Sequence, residues 1–322
     1  MHAVLINDDS SLSWSEVPDP VRKDDEILVE IHAAALNRAD LMQRAGNYPP
    51  PPDWPDWMGL EMAGVVLEAP AGGRWQIGDK VCALLGGGGY AEKVALPAFM
   101  ALPVPEGLSM AEAAALPEAF ATSYLNLCLE AGLKAGDTVF IQAGACGLGM
   151  AAIQLVKQVG GKVVTTVGSD EKVEFVRSLG ADVAIDHRKE DVAAVLAEHP
   201  ADIALDCVCG PGFGPCIETM AKGGRWIAIA TLGGEQCEIN MRTFFIKGLK
   251  LIGSTLRSRP AEMKAQILKG MEDLLWPALS ARTVKPIIYR ELPITEAAAA
   301  HAILERRENI GKVVLNVGRH AS

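Results

Sequence analysis

A glycine-rich turn is the feature of this sequence that most clearly indicates chemistry. The run Ala143-Gly144-Ala145-Cys146-Gly147-Leu148-Gly149 follows a short apolar segment and precedes a helical pattern. Small residues at this spacing let backbone N–H groups approach a pyrophosphate at the positive end of a helix. An ordinary tight turn is the alternative, but strands and helices continue to alternate after it. The run therefore predicts a dinucleotide site that includes Gly144, Gly147 and Leu148.

The tip of the next predicted strand bears on which dinucleotide binds. An acidic residue there usually binds the ribose hydroxyls of NAD, whereas this chain has Gly168. A hydroxyl and positive charges near the tip suit the 2′-phosphate of NADPH; they come from Ser169, Lys172, His187 and Arg188. Asp170 or Glu171 would favour NADH if either pointed at the ribose. Ser169 is also a candidate N-cap, with the two acids complementing the helix N-terminus.

The composition excludes several classes of protein. The chain has 322 residues, of which 49% are hydrophobic and 22% charged, as is typical of globular proteins with a sizeable core. Its net charge of −10 argues against nucleic acid as a partner. The seven cysteines are dispersed and odd in number, which indicates reduced thiols. Neither a signal peptide nor a long apolar run is seen, so we expect a cytoplasmic protein without membrane segments.

The elements that position the turn fall into two patterns. The first ~115 residues are rich in proline, glycine and short alternating runs, which predicts an antiparallel β domain. From about residue 118, strands alternate with helices, which predicts a parallel sheet covered on both faces. Helical patterns at 261–275 and 295–305 follow, and the segment 311–317 is predicted to be a strand that returns to the first domain.

Several motifs together resemble a known family. The glycine-rich turn, with Gly136-Asp137 before it and Gln154 and Lys157 after it, resembles the signature of zinc-free quinone oxidoreductases that include zeta-crystallin. That family lies within the medium-chain dehydrogenase/reductase superfamily, and Phe140 stands where its pattern usually has leucine. Segments 37–44, 256–259 and Tyr48 with its proline run resemble a stress-inducible subgroup of NADPH:quinone oxidoreductases. The resemblance extends over nearly the whole chain.

The resemblance implies a domain organisation. It implies an α/β protein in which a Rossmann domain with a doubly wound parallel sheet accompanies a GroES-like β-rich catalytic domain. The expected boundaries are 1–117 for the catalytic domain, 118–261 for the NADP-binding domain and 262–322 for the return to the catalytic domain. Members of the family have an active cleft between their domains and are homodimers or homotetramers. Their cofactor-domain sheets join edge to edge, which would be the strand at 249–255 here.

The resemblance also implies that no metal takes part. The alcohol dehydrogenase branch holds zinc with a cysteine, with the histidine of a Gly-His-Glu segment and with a third ligand. The matching positions here are Asn37 and the Leu60 of Gly59-Leu60-Glu61. Only Cys82 lies among residues 1–127, so the four-cysteine lobe of that branch is missing. Without a Lewis acid, ordinary alcohol dehydrogenase activity is not expected.

Two side chains are candidates for the catalytic site. We expect Asn37 and Tyr48 to flank the nicotinamide and the substrate, with the phenol donating to a quinone oxygen; the alternative is that both only anchor loops. The resemblance adds cofactor contacts at Thr122, Phe244, Phe245, Leu256 and Lys312. The alternatives are backbone bonding for the threonine, core packing for the aromatic pair and a solvated charge for the lysine.

These observations predict an NADPH-dependent quinone oxidoreductase that transfers hydride without zinc. Quinones need little activation, so the cofactor carries the chemistry and the protein supplies orientation. One alternative is an NADPH-dependent reductase of α,β-unsaturated carbonyls. Another is a low-turnover protein that binds NADPH.

Overall fold

The computed structural model describes residues 1–318, which form two compact units. Met1–Ala121 and the residues from Arg257 onward make up unit 1, and Thr122–Leu256 make up unit 2. The sequence placed these boundaries after residues 117 and 261. No helix within the described residues is long and apolar enough to cross a membrane.

Unit 1 is built on two sheets. The smaller one pairs β1 (His2–Ile6) with β2 (Leu12–Glu16). The strands of the larger one are β3 (Glu26–Ala35), β4 (Glu61–Glu68), β5 (Lys80–Leu84), β6 (Lys93–Pro97), β7 (Ala101–Pro103), β14 (Ile288–Pro293) and β15 (Lys312–Asn316). Their order is β14-β15-β3-β4-β5-β7, with β6 also paired to β3. All of these pairs are antiparallel except β14 with β15.

The helices of unit 1 are few. They are α1 (Arg38–Arg44), α2 (Met110–Ala114), α3 (Pro117–Ser123), which contains the boundary, α9 (Ala261–Ser280) and α10 (Ala297–Glu305). Short 3₁₀ turns lie at Ala98–Met100 and Ile294–Glu296. Helix α1 begins at a capping box in which the Asp40 carboxylate accepts a hydrogen bond from the Asn37 N–H. This box fixes the start of the helix beside the candidate residue Asn37.

Unit 2 is a six-stranded parallel sheet in the order β10-β9-β8-β11-β12-β13. The strands are β8 (Thr138–Ile141), β9 (Lys162–Val167), β10 (Val183–Asp186), β11 (Ile203–Asp206), β12 (Arg225–Ala228) and β13 (Lys250–Gly253). The helices are α4 (Gly147–Val159), α5 (Asp170–Ser178), α6 (Val192–Glu198), α7 (Phe213–Thr219) and α8 (Met241–Lys247), with a π-helix at Tyr124–Glu130 and a 3₁₀ turn at Gly210–Gly212.

Aromatic side chains form the centre of the unit 2 core. The indole of Trp226 lies edge-on to the rings of Phe140 and Phe213, with centroids 5.8 and 4.9 Å away. The buried indole N–H donates to Asp206, so this polar atom is satisfied. Residues of β8, β11 and β12 thus hold the sheet together, and loops at the carboxyl ends of its strands carry the glycine-rich turn.

The α/β prediction is confirmed, with a parallel sheet in one unit and a β-rich second unit. Strand β15 returns to pair with β3 as expected. Helix α9 continues through Pro277 to Ser280, beyond its predicted end at residue 275.

Candidate functional site

The glycine-rich turn joins β8 to α4 and leaves no space for side chains at two positions. A Cβ on Gly144 would lie 2.2 Å from Thr165 Oγ1, and one on Gly149 would lie 2.5 Å from the Ala143 carbonyl oxygen. Ala143 itself has a φ of 58°, in the left-handed region. The turn is therefore tight because strand and helix approach each other closely, which is one of the roles of glycine in dinucleotide-binding turns.

The first turn of α4 presents hydrogen-bond donors. Cys146 is the N-cap, and its Sγ accepts from the Gly149 N–H at 3.3 Å. Within residues 1–318, the N–H groups of Gly147 and Leu148 have no acceptor. Two free N–H groups at the positive end of a 13-residue helix can bind a pyrophosphate.

Positive charges gather at the tip of β9. A Cβ on Gly168 would lie 3.1 Å from His187 Nε2 and 3.4 Å from Arg188 Nε, so a larger residue would crowd both side chains. Burial lowers the pKa of Lys172, and the nearby charge of Arg188 lowers it further. Ser169 caps α5, because its Oγ accepts from the Lys172 N–H at 3.3 Å. A dianionic phosphate suits this group of donors.

The acidic residues after Gly168 are placed differently from the cations. Asp170 is 80% exposed and forms an ion pair with Lys189 at 2.5 Å. The hydrogen bond to Asp170 raises the pKa of Lys189. Glu171 is exposed. The Asp170 carboxylate, which would have favoured NADH, is thus engaged with a lysine.

The remaining candidates of unit 2 have diverse surroundings. The Thr122 carbonyl accepts from Asn126 Nδ2 at 2.7 Å. Phe244 packs against the core around Trp226, whereas Phe245 is 66% exposed. Leu256 is buried. Their predicted contacts with the nicotinamide stay predictions.

In unit 1, Asn37 and Lys312 meet at the buried carboxylate of Glu61. The Lys312 ammonium donates to Glu61 Oε1 at 2.5 Å, to Asn37 Oδ1 at 2.8 Å and to the Leu36 carbonyl at 2.6 Å. Asn37 Nδ2 donates to the same Glu61 oxygen at 2.9 Å, and the Glu118 N–H donates to the other at 2.8 Å. Lys312 is 5% exposed, so the alternative of a solvated charge is wrong. Its cofactor contact stays a prediction.

A second buried carboxyl lies beside this network. Asp40 accepts from the Tyr90 hydroxyl at 3.0 Å and from the Gly59 N–H at 3.3 Å. Burial raises the pKa of Asp40 to about 6, against the opposing effect of these donors. The imidazole of buried His301 lies edge-on to the Tyr90 ring at 6.0 Å, and burial lowers its pKa to about 4. His301 is therefore neutral at physiological pH.

Tyr48 shares its surroundings with a cation and a carboxyl that the sequence did not single out. The Arg257 guanidinium lies 4.5 Å from the centre of the Tyr48 ring and donates to the Gly86 and Tyr48 carbonyls. Burial raises the pKa of Tyr48, and the charge of Glu118 raises it further. Burial also raises the pKa of Glu118 to about 8, with Glu61 adding to the effect. Burial thus keeps Tyr48 a neutral donor and favours the protonated form of Glu118.

The sequence gives little indication that Arg257, Asp40 and Glu118 lie at the candidate site. Arg257 and Asp40 lie in segments that carried the family resemblance, but neither was singled out as a site residue. Glu118 follows a proline in an alanine-rich run and shows no pattern of its own. Within residues 1–318, no group of three or more His, Cys, Asp or Glu side chains is arranged to hold a metal ion.

Comparisons with known proteins agree with this two-unit organisation. The family model for the alcohol dehydrogenase GroES-like domain matches residues 23–106, and the model for zinc-binding dehydrogenases matches residues 147–272. Human quinone oxidoreductase is 28% identical over 308 residues, covering 94% of this chain and 92% of that protein.

Solved structures extend the comparison. The quinone oxidoreductase from Thermus thermophilus, whose structure was also determined with NADPH, is 31% identical with a TM-score of 0.83 and covers 98% of this chain and 100% of that one. An NAD-dependent alcohol dehydrogenase is 28% identical with a TM-score of 0.84 and covers 99% of this chain and 100% of that one.

The matched domains and the dinucleotide turn define a two-domain oxidoreductase of the dehydrogenase and reductase class. The chain belongs to the medium-chain dehydrogenase/reductase superfamily. Binding of NAD(P) is typical of this superfamily, and the described turn at Gly144 to Gly149 fits it.

Proposed function

We propose that this protein is an NADPH-dependent quinone oxidoreductase that works without zinc. The donor set around Glu61 carries the proposal. An amide from Asn37, an ammonium from Lys312 and a backbone N–H surround that carboxylate. An amide and the Leu60 side chain stand where the resemblance would place zinc ligands, and neither binds Zn²⁺ well. The acceptor must therefore be reducible with the help of hydrogen bonds and protons alone, as quinones are.

Residues of unit 2 support NADPH as the cofactor in this proposal. The N–H groups of Gly147 and Leu148 would hold the pyrophosphate. Ser169, Lys172 and Arg188 would hold the 2′-phosphate, with His187 beside them. When bound, the dinucleotide supplies the hydride.

Residues of unit 1 would orient the acceptor. Tyr48 stays protonated at physiological pH, so its hydroxyl can donate to a quinone oxygen and stabilise the negative charge that develops there. Arg257 stacks on the same ring and fixes its position. Asn37 is held by Glu61 and Lys312, which leaves it with one fixed orientation.

A second candidate function uses the same groups. An α,β-unsaturated carbonyl becomes an enolate after hydride addition and must then take up a proton. The protonated carboxyl of Glu118 favours this reaction as well. The two functions are separated by their acceptors.

Turnover with matched cofactors and acceptors tests the proposal. NADPH and NADH are compared with 1,2-naphthoquinone and with a 2-alkenal, in the presence of a chelator. We expect faster quinone reduction with NADPH and no effect of the chelator. Oxidation with the alkenal alone would assign the second function, and cofactor binding without turnover would indicate a binding protein.

Two variants connect the cofactor preference to its residues. Arg188→Ala should raise the KM for NADPH at least ~10-fold, because it removes about one charge-assisted hydrogen bond to the 2′-phosphate. It should leave the KM for NADH unchanged. Lys222→Ala is the matched control, because it removes a charge before β12, near the opposite edge of the same sheet. Equal effects of Arg188→Ala on both cofactors would contradict the proposed 2′-phosphate site.

We also propose that the protein forms a homodimer through β13. This strand lies at the edge of the unit 2 sheet, where its outer hydrogen-bonding groups can pair with a second copy. Exposed apolar side chains near this edge support the proposal; they are Met241, Phe245, Ile246 and Leu251.

A further inference from the structure

We propose that Arg257 is a positioning residue that holds the loop carrying Tyr48 against the buried glycine run Gly86–Gly89. This inference rests on the proposed function, because it concerns how the phenol that would bind the acceptor oxygen is kept in place. The proline loop comprises residues 45–60, between α1 and β4, and contains four consecutive prolines. The loop, the glycine run and Arg257 all belong to unit 1.

The glycine run is packed closely against the proline loop. All four of its glycines are buried, and a Cβ on Gly86 would lie 2.5 Å from Trp54 Nε1. A Cβ on Gly87 would lie 3.1 Å from the Pro55 carbonyl oxygen, and one on Gly88 would lie 3.2 Å from Pro55 Cγ. The run is therefore a surface of bare backbone that the proline loop covers.

Backbone hydrogen bonds join the later part of the proline loop to the glycine run. The Gly88 N–H donates to the Trp57 carbonyl at 3.0 Å, and the Gly89 N–H donates to the Gly59 carbonyl at 3.0 Å. The four prolines themselves have no N–H to donate. The attachment of the earlier part of the loop, which includes Tyr48, therefore depends on packing and on side chains from elsewhere in the chain.

Arg257 supplies an attachment directly at Tyr48. Its Nε and Nη2 donate to the Gly86 carbonyl at 2.9 and 2.6 Å, and its Nη1 donates to the Tyr48 carbonyl at 3.3 Å. The guanidinium also lies 4.5 Å from the centre of the Tyr48 ring. Its Nη2 lies 3.4 Å from Gln43 Oε1, and Gln43 Nε2 donates to the Asp56 carbonyl at 2.8 Å. One guanidinium thus joins the glycine run, the proline loop and the end of α1.

These contacts require an arginine. A guanidinium is planar, so it can stack on a ring while its N–H groups point at acceptors in fixed directions, whereas a lysine ammonium is a point charge. Tyr48 is only half-buried, so packing covers only part of its ring. Arg257→Lys would keep the positive charge but would lose the stacked geometry. We therefore expect the Tyr48 phenol to leave its fixed position in this variant.

A double-variant cycle tests whether Arg257 acts through the phenol. With NADPH and 1,2-naphthoquinone, Tyr48→Phe removes a donor to the developing oxyanion and should lower kcat ~100-fold. Arg257→Lys should lower kcat ~10-fold, because a misplaced donor stabilises that charge less well. The double variant should lie within ~threefold of Tyr48→Phe, since it has no hydroxyl left to position. Losses that multiply to ~1000-fold would overturn the inference.

A second variant disturbs the same attachment from the glycine run. The added Cβ of Gly86→Ala would displace the Trp54 indole and the carbonyl that Arg257 binds, so its kcat should also fall ~10-fold. Gly318→Ala is the matched control, because a Cβ there would meet no described atom within 4 Å. Arg306→Lys is the control for Arg257→Lys, since Arg306 forms an exposed ion pair with Glu308. Both controls should behave like the wild type, and the KM for NADPH should be unchanged in all four variants.

Hydrogen exchange gives a readout that does not depend on turnover. Two protected amides lie in the proline loop, where the Asn47 N–H donates to the Met42 carbonyl at 2.9 Å and the Trp54 N–H donates to the Pro51 carbonyl at 3.0 Å. Peptides that cover these amides should exchange at least ~10-fold faster in Arg257→Lys than in the wild type, because the loop opens more often. Peptides from β4 and β5 should exchange at unchanged rates.

The two measurements separate this inference from the proposed function. Unchanged exchange of the proline loop in Arg257→Lys would overturn the inference and leave the proposed function in place. No turnover by the wild type with any acceptor would overturn the proposed function itself, and with it a role of Arg257 in catalysis.

Discussion

Replacing Lys312 with methionine tests how the buried network of unit 1 is stabilised. The side chain of Lys312 is 6% exposed and that of Glu61 is 0% exposed, so the ion pair lies out of water. Lys312→Met keeps most of the side-chain volume but removes three hydrogen bonds, and Glu61 loses its counter-ion while keeping the Asn37 amide and the Glu118 N–H as neutral donors. Stranding a buried charge in this way costs about 3–5 kcal/mol.

Urea unfolding followed by tryptophan fluorescence measures this cost. Five of the six tryptophans lie in unit 1, so the signal reports mainly on that unit; they are Trp14, Trp54, Trp57, Trp75 and Trp276. With a slope of about 2 kcal/mol per M, the transition should move down by about 1.5–2.5 M urea. Lys269→Met is the matched control, because Lys269 forms an exposed pair with Asp273 one helical turn away and should lose about 0.5 kcal/mol or less.

The double variant Lys312→Met with Glu61→Gln decides whether the stranded charge is the cause. Because glutamine carries no charge, we expect the double variant to be more stable than Lys312→Met by about 1–3 kcal/mol. A loss below about 1 kcal/mol in Lys312→Met, or no recovery in the double variant, would refute the reasoning.

Two further predictions concern unit 1 chemistry and the assembly of the protein. Tyr90→Phe removes a donor to the Asp40 carboxylate, so it should raise the pKa of Asp40 further above about 6. An acid whose folded pKa lies above its unfolded value loses stability as pH rises, so the destabilisation should be about 2 kcal/mol at pH 7.5 and smaller at pH 5, as thermal or urea unfolding would show. Phe245→Asp places a charge on a side chain that is 66% exposed beside β13, and it should shift the protein to monomer in analytical ultracentrifugation without loss of secondary structure; an unchanged sedimentation coefficient would contradict the proposed dimer edge.

Local features of this protein could be predicted from the sequence, whereas its long-range contacts could not. The turn from β8 to α4 depends on glycines within a few residues of each other, so the spacing of these glycines in the sequence predicts the turn. Lys312 was identified only by resemblance, and nothing in its local sequence indicates that it is buried. The partner that makes its burial favourable, Glu61, lies 251 residues away in the chain.

The pKa of Glu118 also depends on long-range contacts that its local sequence does not show. Its local sequence resembles the start of an ordinary helix, with an acid in the first turn after Pro117. Its pKa is raised by burial and by Glu61 and Asp40, which come from β4 and α1. The protonation state of Glu118 therefore depends on a strand and a helix that are distant from it in the sequence. No periodic pattern in the sequence shows that they lie close to it.

The position of β15 also has a consequence for the order in which the protein can be made. This strand lies between β14 and β3 within the larger sheet, yet it leaves the ribosome after every strand of unit 2. Unit 2 is continuous, so all of its strands are available while the sheet of unit 1 still lacks two of its members. Until Lys312 has been synthesised, the Glu61 carboxylate has no counter-ion and must stay hydrated. The core of unit 1 can therefore close only after unit 2 has had time to fold.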